Sequence, residues 1–299
     1  MQRAVLVMNN KAGTLQRQPD LRGRIEEILR RDFDLQVIGD EDGAEMGTRL
    51  DRAVASDAPV IIVGGGDGTV HGAARRIAGT DRILAVVPLG TLNLLARDLG
   101  MPLDPAEAAA ALRTAQTQNI DLGEVNGVVF TCQAVLGLPN RFARFRQANR
   151  RKSGFVARLK PILGTLRGMA RPPMRLQISM PGSPMREVRA AALSVVNNPY
   201  EEAVGSLFRR PQLDLGYLAV YRPRRFGVLW GVFMILAMVF GSWRRADEVE
   251  HFRTETLTVN ARRPHMRVAV DGELQVLDLP LRFSVRPGAL RVLRPENPA

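Results

Sequence analysis

Short apolar runs of the β type alternate with segments of helical periodicity through the first 100 residues, and this alternation limits the fold more than any other feature. The β-type runs are Ala4–Met8, Leu35–Ile38, Pro59–Val63 and Leu84–Val87. The helix-type segments are Leu21–Arg31, Met46–Ala55, Val70–Ala78 and Leu92–Leu99. Strands that alternate with helices form parallel sheets, which bind ligands at the carboxyl ends of their strands. The first part of the chain is therefore predicted to be an α/β domain.

The pattern changes after about residue 120. Asn126-Gly127 is a strong two-residue turn signal and predicts a hairpin of Ile120–Val125 with Val128–Leu136. Cys132 is interpreted as an incidental residue of the second of these strands. Further strand-like runs are Arg175–Met180, Ala191–Val196, Leu218–Tyr221, Thr256–Asn260, Arg267–Val270, Leu274–Leu277 and Leu281–Val285. The second part is predicted to be mostly antiparallel β structure.

Composition excludes some classes of site and leaves the partner open. One cysteine excludes an intramolecular disulfide, and three histidines without a close pair disfavour a histidine metal centre. The net charge of +12 indicates an anionic partner, either nucleic acid, nucleotide phosphate or an acidic membrane. An arginine-rich but ordinary surface explains the charge equally well. Ala4–Met8 is too short for the apolar core of a signal peptide, so a cytoplasmic protein is expected.

The strongest motif is VIIVGGGDGTVH at residues 60–71, where an apolar strand leads through glycines into a helix. Glycines let the backbone approach a phosphate chain, and the helix adds its positive N-terminal end. Asp67 would repel a bare phosphate, which indicates a role toward a metal, water or hydroxyl group. A tight turn with a capping aspartate is the structural alternative.

Three other motifs accompany it in order: the loop Asn9–Gly13, the run PLGTLN at 88–93 with Ala96-Arg97 after it, and Asp271-Gly272-Glu273. Together they resemble the diacylglycerol kinase catalytic-domain family, which includes bacterial lipid kinases and sphingosine and ceramide kinases. That family combines an Asn-Pro-x-Ser/Ala-Gly loop, GGDGT, PxGTxN and a late DGE. Ile120–Gly123 also matches the element that opens the family's second domain.

The resemblance implies a three-layer α/β nucleotide-binding domain at residues 1–122 and a β-rich, sandwich-like lipid-substrate domain at 123–299. It implies ATP in the cleft between them, with Mg²⁺, and a last strand that can return to the first domain. The residues expected to bind ATP are Asn9, Asn10, Lys11, Ala12, Gly13, Gly65, Gly66, Asp67, Gly68, Thr69, Thr91 and Asn93.

The resemblance also suggests metal ligands. Asp67 and Asp121 are expected in a water-mediated network around Mg²⁺. Leu94 stands where many members carry an acidic residue, which removes one carboxylate from that network. Asp214 is a weaker third ligand, because Leu215 occupies the place that an aspartate usually holds in the family's structural Mg²⁺ loop.

Asp271 and Glu273 are the expected catalytic residues. By resemblance, Glu273 accepts the proton of a lipid hydroxyl, and Asp271 orients it or the metal. Because Asp-Gly is a common turn pair, a plain surface hairpin turn is the alternative.

Two basic segments predict contact with an anionic membrane surface. Phe226–Trp243 is 18 residues without a charge, bracketed by arginines, and is predicted to dip into one leaflet rather than to span it. Arg150–Arg175 has a basic amphipathic pattern. A buried helix and a solvated face are the respective alternatives. The expected location is cytoplasmic, peripherally associated with the inner face of the membrane.

Two rival functions share part of this pattern. NAD kinases also contain GGDGT, and the charge alone suits a non-catalytic nucleotide- or nucleic-acid-binding protein. PLGTLN and the DGE favour a lipid kinase, and the sequence has no helix-turn-helix or RNP signature, so no nucleic-acid partner is expected. The lipid substrate, diacylglycerol-like or sphingoid, and the oligomeric state stay open, with a homo-oligomer compatible.

Overall fold

The structure, a computed structural model, describes residues 1–40, 42–137, 173–201, 209–224 and 249–296. The chain divides into two compact units. The first contains Met1–Leu122, Pro211–Asp214 and Pro287–Ala299. The second contains Gly123–Arg210 and Leu215–Arg286.

The first unit is built on a parallel sheet, as predicted. Its strands are β1 (Gln2–Met8), β2 (Phe33–Ile38), β3 (Val60–Gly65) and β4 (Ile83–Pro88). Its helices are α1 (Gly13–Arg17), α2 (Leu21–Arg30), α3 (Met46–Ala55), α4 (Asp67–Ile77), α5 (Leu94–Asp98) and α6 (Pro105–Ala111). The strand order is β2-β1-β3-β4, and every pair is parallel. The order reverses direction at β1, which is where parallel sheets bind ligands.

Burial explains the layering of this unit. All six residues of β3 are buried, as are all six of β4, because both faces of the sheet are covered. Helix α2 buries Leu21, Ile25 and Leu29, one stripe at helical spacing. Right-handed crossovers place α2 on one face of the sheet, where it packs against α6, and α3 and α4 on the other. The three-layer α/β prediction is confirmed.

The second unit holds two antiparallel sheets. Its strands, of which the first begins and the last ends in the first unit, are β5 (Gln116–Val125), β6 (Val128–Phe130), β7 (Gln133–Gly137), β8 (Met174–Met180), β9 (Ser183–Ala190), β10 (Ala192–Asn197), β11 (Leu218–Pro223), β12 (Val249–Thr254), β13 (Thr256–Asn260), β14 (His265–Val270), β15 (Glu273–Asp278) and β16 (Leu281–Arg294). One sheet has the order β16-β13-β8-β9, with β5 and β6 beside β16. The other has the order β12-β11-β10-β7-β14-β15.

The two sheets share one apolar core. Phe130, Leu176 and Phe283 from the first sheet cluster with residues such as Leu193 and Val268 from the second, and all five side chains are at most 2% exposed. Residues from two inner faces that meet in one core define a β-sandwich. The predicted sandwich-like fold is confirmed.

The predicted strand Val128–Leu136 was wrong in one respect. Strand β6 ends at Phe130 and β7 begins at Gln133, and the two strands lie in different sheets. Cys132 lies in the break between them and is therefore not a strand residue. The physical cause is the carboxylate of Asp271, which accepts the backbone N–H groups of residues 131–133.

Other boundaries also differ from the sequence prediction. Helix α4 begins at Asp67, three residues before the predicted start, and α5 is shorter than the predicted helix at both ends. Strand β16 continues to Arg294, far beyond Val285. Its last part pairs in parallel with β4, with Arg291 opposite Ile83, so this strand returns to the first unit.

The proposed membrane segments lie almost wholly outside the described residues. Phe226–Trp243 is outside them, and of Arg150–Arg175 only the last three residues are described. In the part of the chain that the structure describes, no helix has both the length and the apolar character to cross a bilayer.

Candidate active site

Three of the predicted loops meet at one edge of the first unit. Strands β1, β3 and β4 are parallel, so the loops that follow them emerge on the same side of the sheet. The side chain of Asn9 links the first loop to the second, because its Nδ2 donates to Thr69 Oγ1 at 3.2 Å. The backbone N–H of Asn9 donates to the carbonyl of Gly64 at 2.8 Å. The sequence motifs therefore form one surface in this unit.

The second and third loops touch backbone to backbone. A Cβ added at Gly90 would lie 2.6 Å from the Cα of Gly66 and 2.8 Å from Asn93 Oδ1. Real Cβ atoms do not approach other atoms so closely, so only glycine fits here. The N–H of Leu89 also donates to the carbonyl of Gly65 at 2.9 Å. This close contact explains why both motifs need glycine at the end of their strands.

Asp67 fastens these two loops to each other. Its Oδ1 accepts the N–H of Leu94 at 2.6 Å, and its Oδ2 accepts the N–H of Asn93 at 3.2 Å. Asp67 thus caps the N-terminus of α5 from a neighbouring element, since it lies in the first turn of α4 while the N-cap residue of α5 is Asn93. The capping interpretation describes this contact, with the correction that the helix capped is the next one. Each oxygen retains a second acceptor site, which suits a hydrogen of a metal-bound water.

Asn93 shapes the third loop from within. It adopts the left-handed conformation at φ 50°, and its side chain bonds Gly90 through both amide atoms. The N–H of Gly90 donates to Asn93 Oδ1 at 2.9 Å, and Asn93 Nδ2 donates to the carbonyl of Gly90 at 3.0 Å. Asn93 therefore holds the turn, and the predicted site residue Thr91 lies exposed at its tip.

The first loop presents backbone and a cation to the same edge. The side chain of Asn9 accepts the N–H of Lys11 at 3.1 Å, and Lys11 and Gly13 are exposed. Ala12 donates its N–H to the carbonyl of Asn9 at 2.8 Å. Asn10 turns away and donates to Asp40 Oδ1 at 2.6 Å, and this hydrogen bond lowers the pKa of Asp40.

This edge fits the phosphates of ATP. The N-terminus of α4 has no side-chain cap, and Gly68 in its first turn is exposed. Uncapped N–H groups of a helix of 11 residues, beside glycines and a lysine, are the donors that a phosphate chain takes. The N–H groups of Asn9, Lys11, Ala12, Thr69, Gly90 and Asn93 are already donated within the protein. A phosphate chain at this edge would therefore take other N–H groups of these loops, such as those of Gly66 and Gly68.

The predicted metal ligands do not form one cluster. Asp121 is 2% exposed, and its Oδ1 accepts the N–H of Gly288 at 2.9 Å. Its own N–H donates to the carbonyl of Leu213 at 2.7 Å, so the segment with the exposed Asp214 runs next to Asp121. Among the described residues, no three His, Cys, Asp or Glu side chains lie close enough together to hold a metal.

The second unit contains a carboxylate corner at the turn between β14 and β15. Asp271 and Gly272 have φ values of 45° and 84°, and Val270 pairs with Glu273. This is the two-residue hairpin turn that the sequence allowed. The N–H of Asp271 donates to the carbonyl of Gln133 at 2.8 Å, which joins the turn to β7.

The Asp271 carboxylate accepts four hydrogen bonds from residues 131–133. Its Oδ2 accepts the N–H of Thr131 at 2.7 Å and the hydroxyl of Thr131 at 2.8 Å. Its Oδ1 accepts the N–H groups of Cys132 at 2.9 Å and Gln133 at 2.8 Å. Three consecutive N–H groups that converge on one anion cannot all belong to one extended strand, whose N–H groups alternate in direction. This carboxylate is the reason for the break between β6 and β7.

The two carboxylates of the corner differ in what they can do. A carboxylate has about four acceptor sites, and Asp271 fills this number with residues 131–133. Glu273 is exposed at the start of β15, and no described residue donates a hydrogen bond or forms an ion pair with its carboxylate. Asp271 therefore has the geometry of an anchor, and Glu273 has a carboxylate that a ligand can reach.

Sequence reasoning missed the residues that support this corner. Arg210 and Asn197 are each 1% exposed, and both contact residues 131 and 132. Asn198 is fully buried and accepts the N–H of Leu215 at 3.0 Å. The only signal in the sequence was Asn197-Asn198 directly after an apolar strand, where two polar residues would otherwise mark a loop. Nothing in the sequence singles out Arg210 among the many arginines.

Comparisons with known proteins agree with both units. Residues 3–125 match the diacylglycerol kinase catalytic domain, and residues 143–294 match the YegS C-terminal NAD kinase beta sandwich-like domain. A protein of Mycobacterium tuberculosis (strain CDC 1551 / Oshkosh) named diacylglycerol kinase is 29% identical over 288 residues, 92% of this chain and 89% of its own. A Pseudomonas aeruginosa protein named "probable lipid kinase YegS-like" is 42% identical over 94 residues, 31% of each chain.

Solved structures share the fold at lower identity. A diacylglycerol kinase from Bacillus anthracis str. Sterne superposes with a TM-score of 0.72 at 20% identity, over 100% of this chain and 98% of its own. An NAD kinase from Archaeoglobus fulgidus in complex with ATP gives a TM-score of 0.53 at 15% identity, over 99% and 94%. The match to the YegS C-terminal domain, residues 143–294, spans more than half of the 299 residues. The chain belongs to the diacylglycerol kinase catalytic-domain family of kinases, with the YegS-type C-terminal domain.

Proposed function

We propose that this protein is an ATP-dependent lipid kinase, which transfers the γ-phosphate of ATP to a hydroxyl group of a diacylglycerol-like or sphingoid lipid. The observation that carries the proposal is the pair of carboxylates at the β14–β15 turn. Asp271 is fixed by four hydrogen bonds, and Glu273 two residues later is exposed. A fixed anchor beside an accessible carboxylate is an arrangement suited to a general base.

In the proposed reaction, Glu273 accepts the proton of the lipid hydroxyl as that oxygen bonds to the γ-phosphorus. The bond between the γ-phosphorus and its bridging oxygen breaks, and the electron pair leaves on that oxygen with ADP. The products are the phosphorylated lipid, ADP and a proton on Glu273, which is then lost to solvent. Positioning and charge stabilisation supply most of the catalysis in such transfers.

The ATP phosphates are proposed to bind at the glycine-lined edge of the first unit. Backbone N–H groups of residues 9–13 and 65–69 that are not already donated within the protein, such as those of Gly66 and Gly68, would hold them, with Lys11 and Thr91 at the exposed rim. Asp67 would hold a water of Mg²⁺ through its remaining acceptor sites. When bound, Mg²⁺ neutralises phosphate charge.

Transfer of radiolabelled phosphate from ATP to a lipid panel tests this function. The panel contains diacylglycerol, ceramide and sphingosine in mixed micelles, with NAD as a soluble acceptor. We expect one labelled lipid and no labelled NAD. Replacement of Glu273 by Gln is expected to lower the rate by roughly 100- to 10,000-fold while ATP binding is kept. Labelling of NAD alone would instead favour the alternative that the protein is an NAD kinase, which shares the GGDGT motif of residues 65–69.

A second carboxylate of the same strand provides the matched control. Asp278 lies at the other end of β15, is exposed, and contacts His265 Nδ1 at 2.6 Å. Asp278→Asn removes the same charge from the same hairpin without touching the turn, and we expect its rate to stay within about twofold of the parent. Equal activity of Glu273→Gln and Asp278→Asn would remove Glu273 from the proposed role.

The proposal includes peripheral binding to an anionic membrane from the cytoplasmic side, because the substrate is a lipid and the net charge is +12. Flotation with vesicles of neutral or anionic lipid tests this part. We expect co-flotation with anionic vesicles that falls as salt rises. Failure to float with either kind of vesicle would exclude the membrane association.

A further inference from the structure

A buried guanidinium lies behind the carboxylate corner. Arg210 is 1% exposed, and its Nη1 donates to the carbonyl of Thr131 at 2.6 Å and to that of Asn197 at 2.7 Å. Its Nη2 lies 3.2 Å from Cys132 Sγ. Burial of a guanidinium is costly unless its donors find acceptors. Two of these three acceptors, the Thr131 carbonyl and Cys132 Sγ, lie on the short break between β6 and β7.

Arg210 and Asp271 hold opposite ends of one peptide group. The carbonyl of Thr131 accepts from Arg210, and the N–H of Cys132, in the same peptide group, donates to Asp271 Oδ1 at 2.9 Å. A trans peptide is planar, and its C=O and N–H point in opposite directions. The orientation that Arg210 gives to the carbonyl therefore fixes the direction in which the N–H meets Asp271.

Asn197 reinforces the same segment. Its N–H donates to the carbonyl of Cys132 at 2.9 Å, and its Nδ2 donates to the carbonyl of Thr131 at 3.3 Å. Arg210 in turn bonds the carbonyl of Asn197. The break is thus held from one side by Arg210 and Asn197, and from the other by the Asp271 carboxylate.

We propose that Arg210 is a positioning residue for phosphoryl transfer, which acts on Glu273 through residues 131–133 and Asp271. This inference rests on the proposed function. Arg210 fixes the peptide groups of the break, the break fixes Asp271, and the Asp271–Gly272 turn sets where β15 begins and Glu273 stands. A base that is displaced by about 1 Å can lose roughly 100-fold in rate. Residues 131–133 and the Asp271–Gly272 turn thus connect the buried guanidinium of Arg210 to the exposed carboxylate of Glu273.

The test compares Arg210→Lys with Arg222→Lys. Lysine keeps the charge but cannot bond two carbonyls and a sulfur with one planar fork. Arg222 is a matched control in the same unit, because its guanidinium also bonds a backbone carbonyl, that of Arg189 at 3.0 Å, and pairs with Glu250. We expect Arg210→Lys to lower kcat by roughly 10- to 100-fold with KM for ATP unchanged, and Arg222→Lys to leave kcat within about twofold.

A double-mutant cycle distinguishes positioning from plain stability. Thr131→Val removes one hydrogen bond to Asp271 and leaves Arg210 in place. If Arg210 acts through this segment, its effect on kcat and that of Thr131→Val are not additive. Additive effects, or an Arg210→Lys enzyme that is folded and keeps kcat within about twofold, would overturn the proposal. Arg210→Gln replaces Arg210→Lys if the latter does not fold.

Hydrogen exchange separates this proposal from the proposed function. The amides of Cys132 and Gln133 are expected to exchange at least tenfold faster in Arg210→Lys, while amides of β1 and β3 keep their parent rates. This readout needs no substrate. If the parent protein phosphorylates no lipid, the proposed function fails. Unchanged exchange at residues 132 and 133 would overturn the role of Arg210 on its own.

Discussion

The two units build their functional surfaces in opposite ways. In the first, the candidate phosphate edge consists of backbone and small residues that lie within short contiguous motifs, such as Gly65–Thr69 and Gly90–Asn93. In the second, the carboxylate corner depends on residues far apart in the chain, since Asp271 is bound by 131–133 and these are bound by Arg210. A surface built from residues that are neighbours in the sequence can be predicted from the sequence. A surface built from residues far apart in the chain is recognised only in the folded structure.

The difference also concerns which atoms carry the site. At the edge of the first unit, the contact between Gly66 and Gly90 leaves no room for a side chain, because a Cβ at Gly90 would collide with Gly66. The corner of the second unit requires a side chain, because the Asp271 carboxylate accepts the backbone N–H groups of residues 131–133. We therefore expect the first surface to be sensitive to added volume and the second to lost hydrogen bonds.

The largest effect is expected from added volume at the edge of the first unit. Gly90→Ala places a Cβ 2.6 Å from Gly66 Cα, so the two loops must separate. We expect a loss of about 2 kcal/mol in the free energy of unfolding from this overpacking. We also expect ATP affinity to fall at least about tenfold, measured by calorimetric titration.

Gly23→Ala is the matched control for that substitution. Gly23 is exposed in α2, and nothing lies within 4 Å of its added Cβ. Alanine there is expected to raise stability by about 0.5–1 kcal/mol, because it favours the helix. Normal ATP binding by Gly90→Ala would show that the contact of the two loops does not shape the phosphate site.

A smaller loss of stability is expected from removal of the Asp67 carboxylate that joins the second and third loops. Asp67→Ala removes the acceptor of the Asn93 and Leu94 N–H groups. The control, Asp104→Ala, removes the cap of α6, because Asp104 Oδ1 accepts the N–H groups of Ala106 and Glu107. Each loss is expected to cost about 1 kcal/mol in chemical denaturation.

Only Asp67→Ala is expected to abolish phosphate transfer, since only Asp67 lies at the proposed ATP edge. Equal transfer rates for the two variants at equal stability would reduce Asp67 to a structural cap and weaken the contrast between local and long-range sites.

The smallest change in stability is expected when the pH is lowered. Arg76 Nε donates to Asp51 Oδ1 at 2.6 Å between α3 and α4, and this hydrogen bond lowers the pKa of Asp51 below its ordinary value of 3.8. A lowered folded-state pKa means that the contact stabilises the folded state above pH 4 or so and is lost as the pH falls through the folded-state value. In Asp51→Asn, the protein should therefore lose less stability than the parent when the pH is lowered. Unfolding measured by circular dichroism as a function of pH checks this.

Asp34→Asn, at an exposed carboxylate on β2, serves as the control and should leave the acid transition unchanged. An identical acid transition in Asp51→Asn and the parent protein would contradict the prediction. Because Asp51 is exposed, the expected shift is small.

The sequence predicted local features well and long-range ones poorly. The strand–helix alternation before residue 100 appears because helical spacing and buried strands are periodic within a few residues. The break at Thr131-Cys132 was missed because Val128–Leu136 is a continuous apolar run, and the carboxylate that bends it lies about 140 residues later. Arg210 was missed for the same reason, since its partners are 13 to 79 residues away.

The same distinction applies within the predicted site. The turn at Asp271-Gly272 follows from two residues, but the opposite tasks of Asp271 and Glu273 depend on which carboxylate meets residues 131–133. Asp67 likewise has a capping role that the sequence allowed, but it caps α5, whereas the sequence indicated a cap of the helix that Asp67 itself begins.

The path of β16 sets an order of events during synthesis. The sheet of the first unit gains its fifth strand only when Arg291 and Val292 reach Ile83 and Leu84. At 5–20 residues per second, the ribosome needs roughly 10–40 s to make the chain between those partners. During that time the outer edge of β4 has no strand beside it. The N-terminal unit is thus the first to be made and among the last to be finished, and a chaperone that covers this edge would act within that interval.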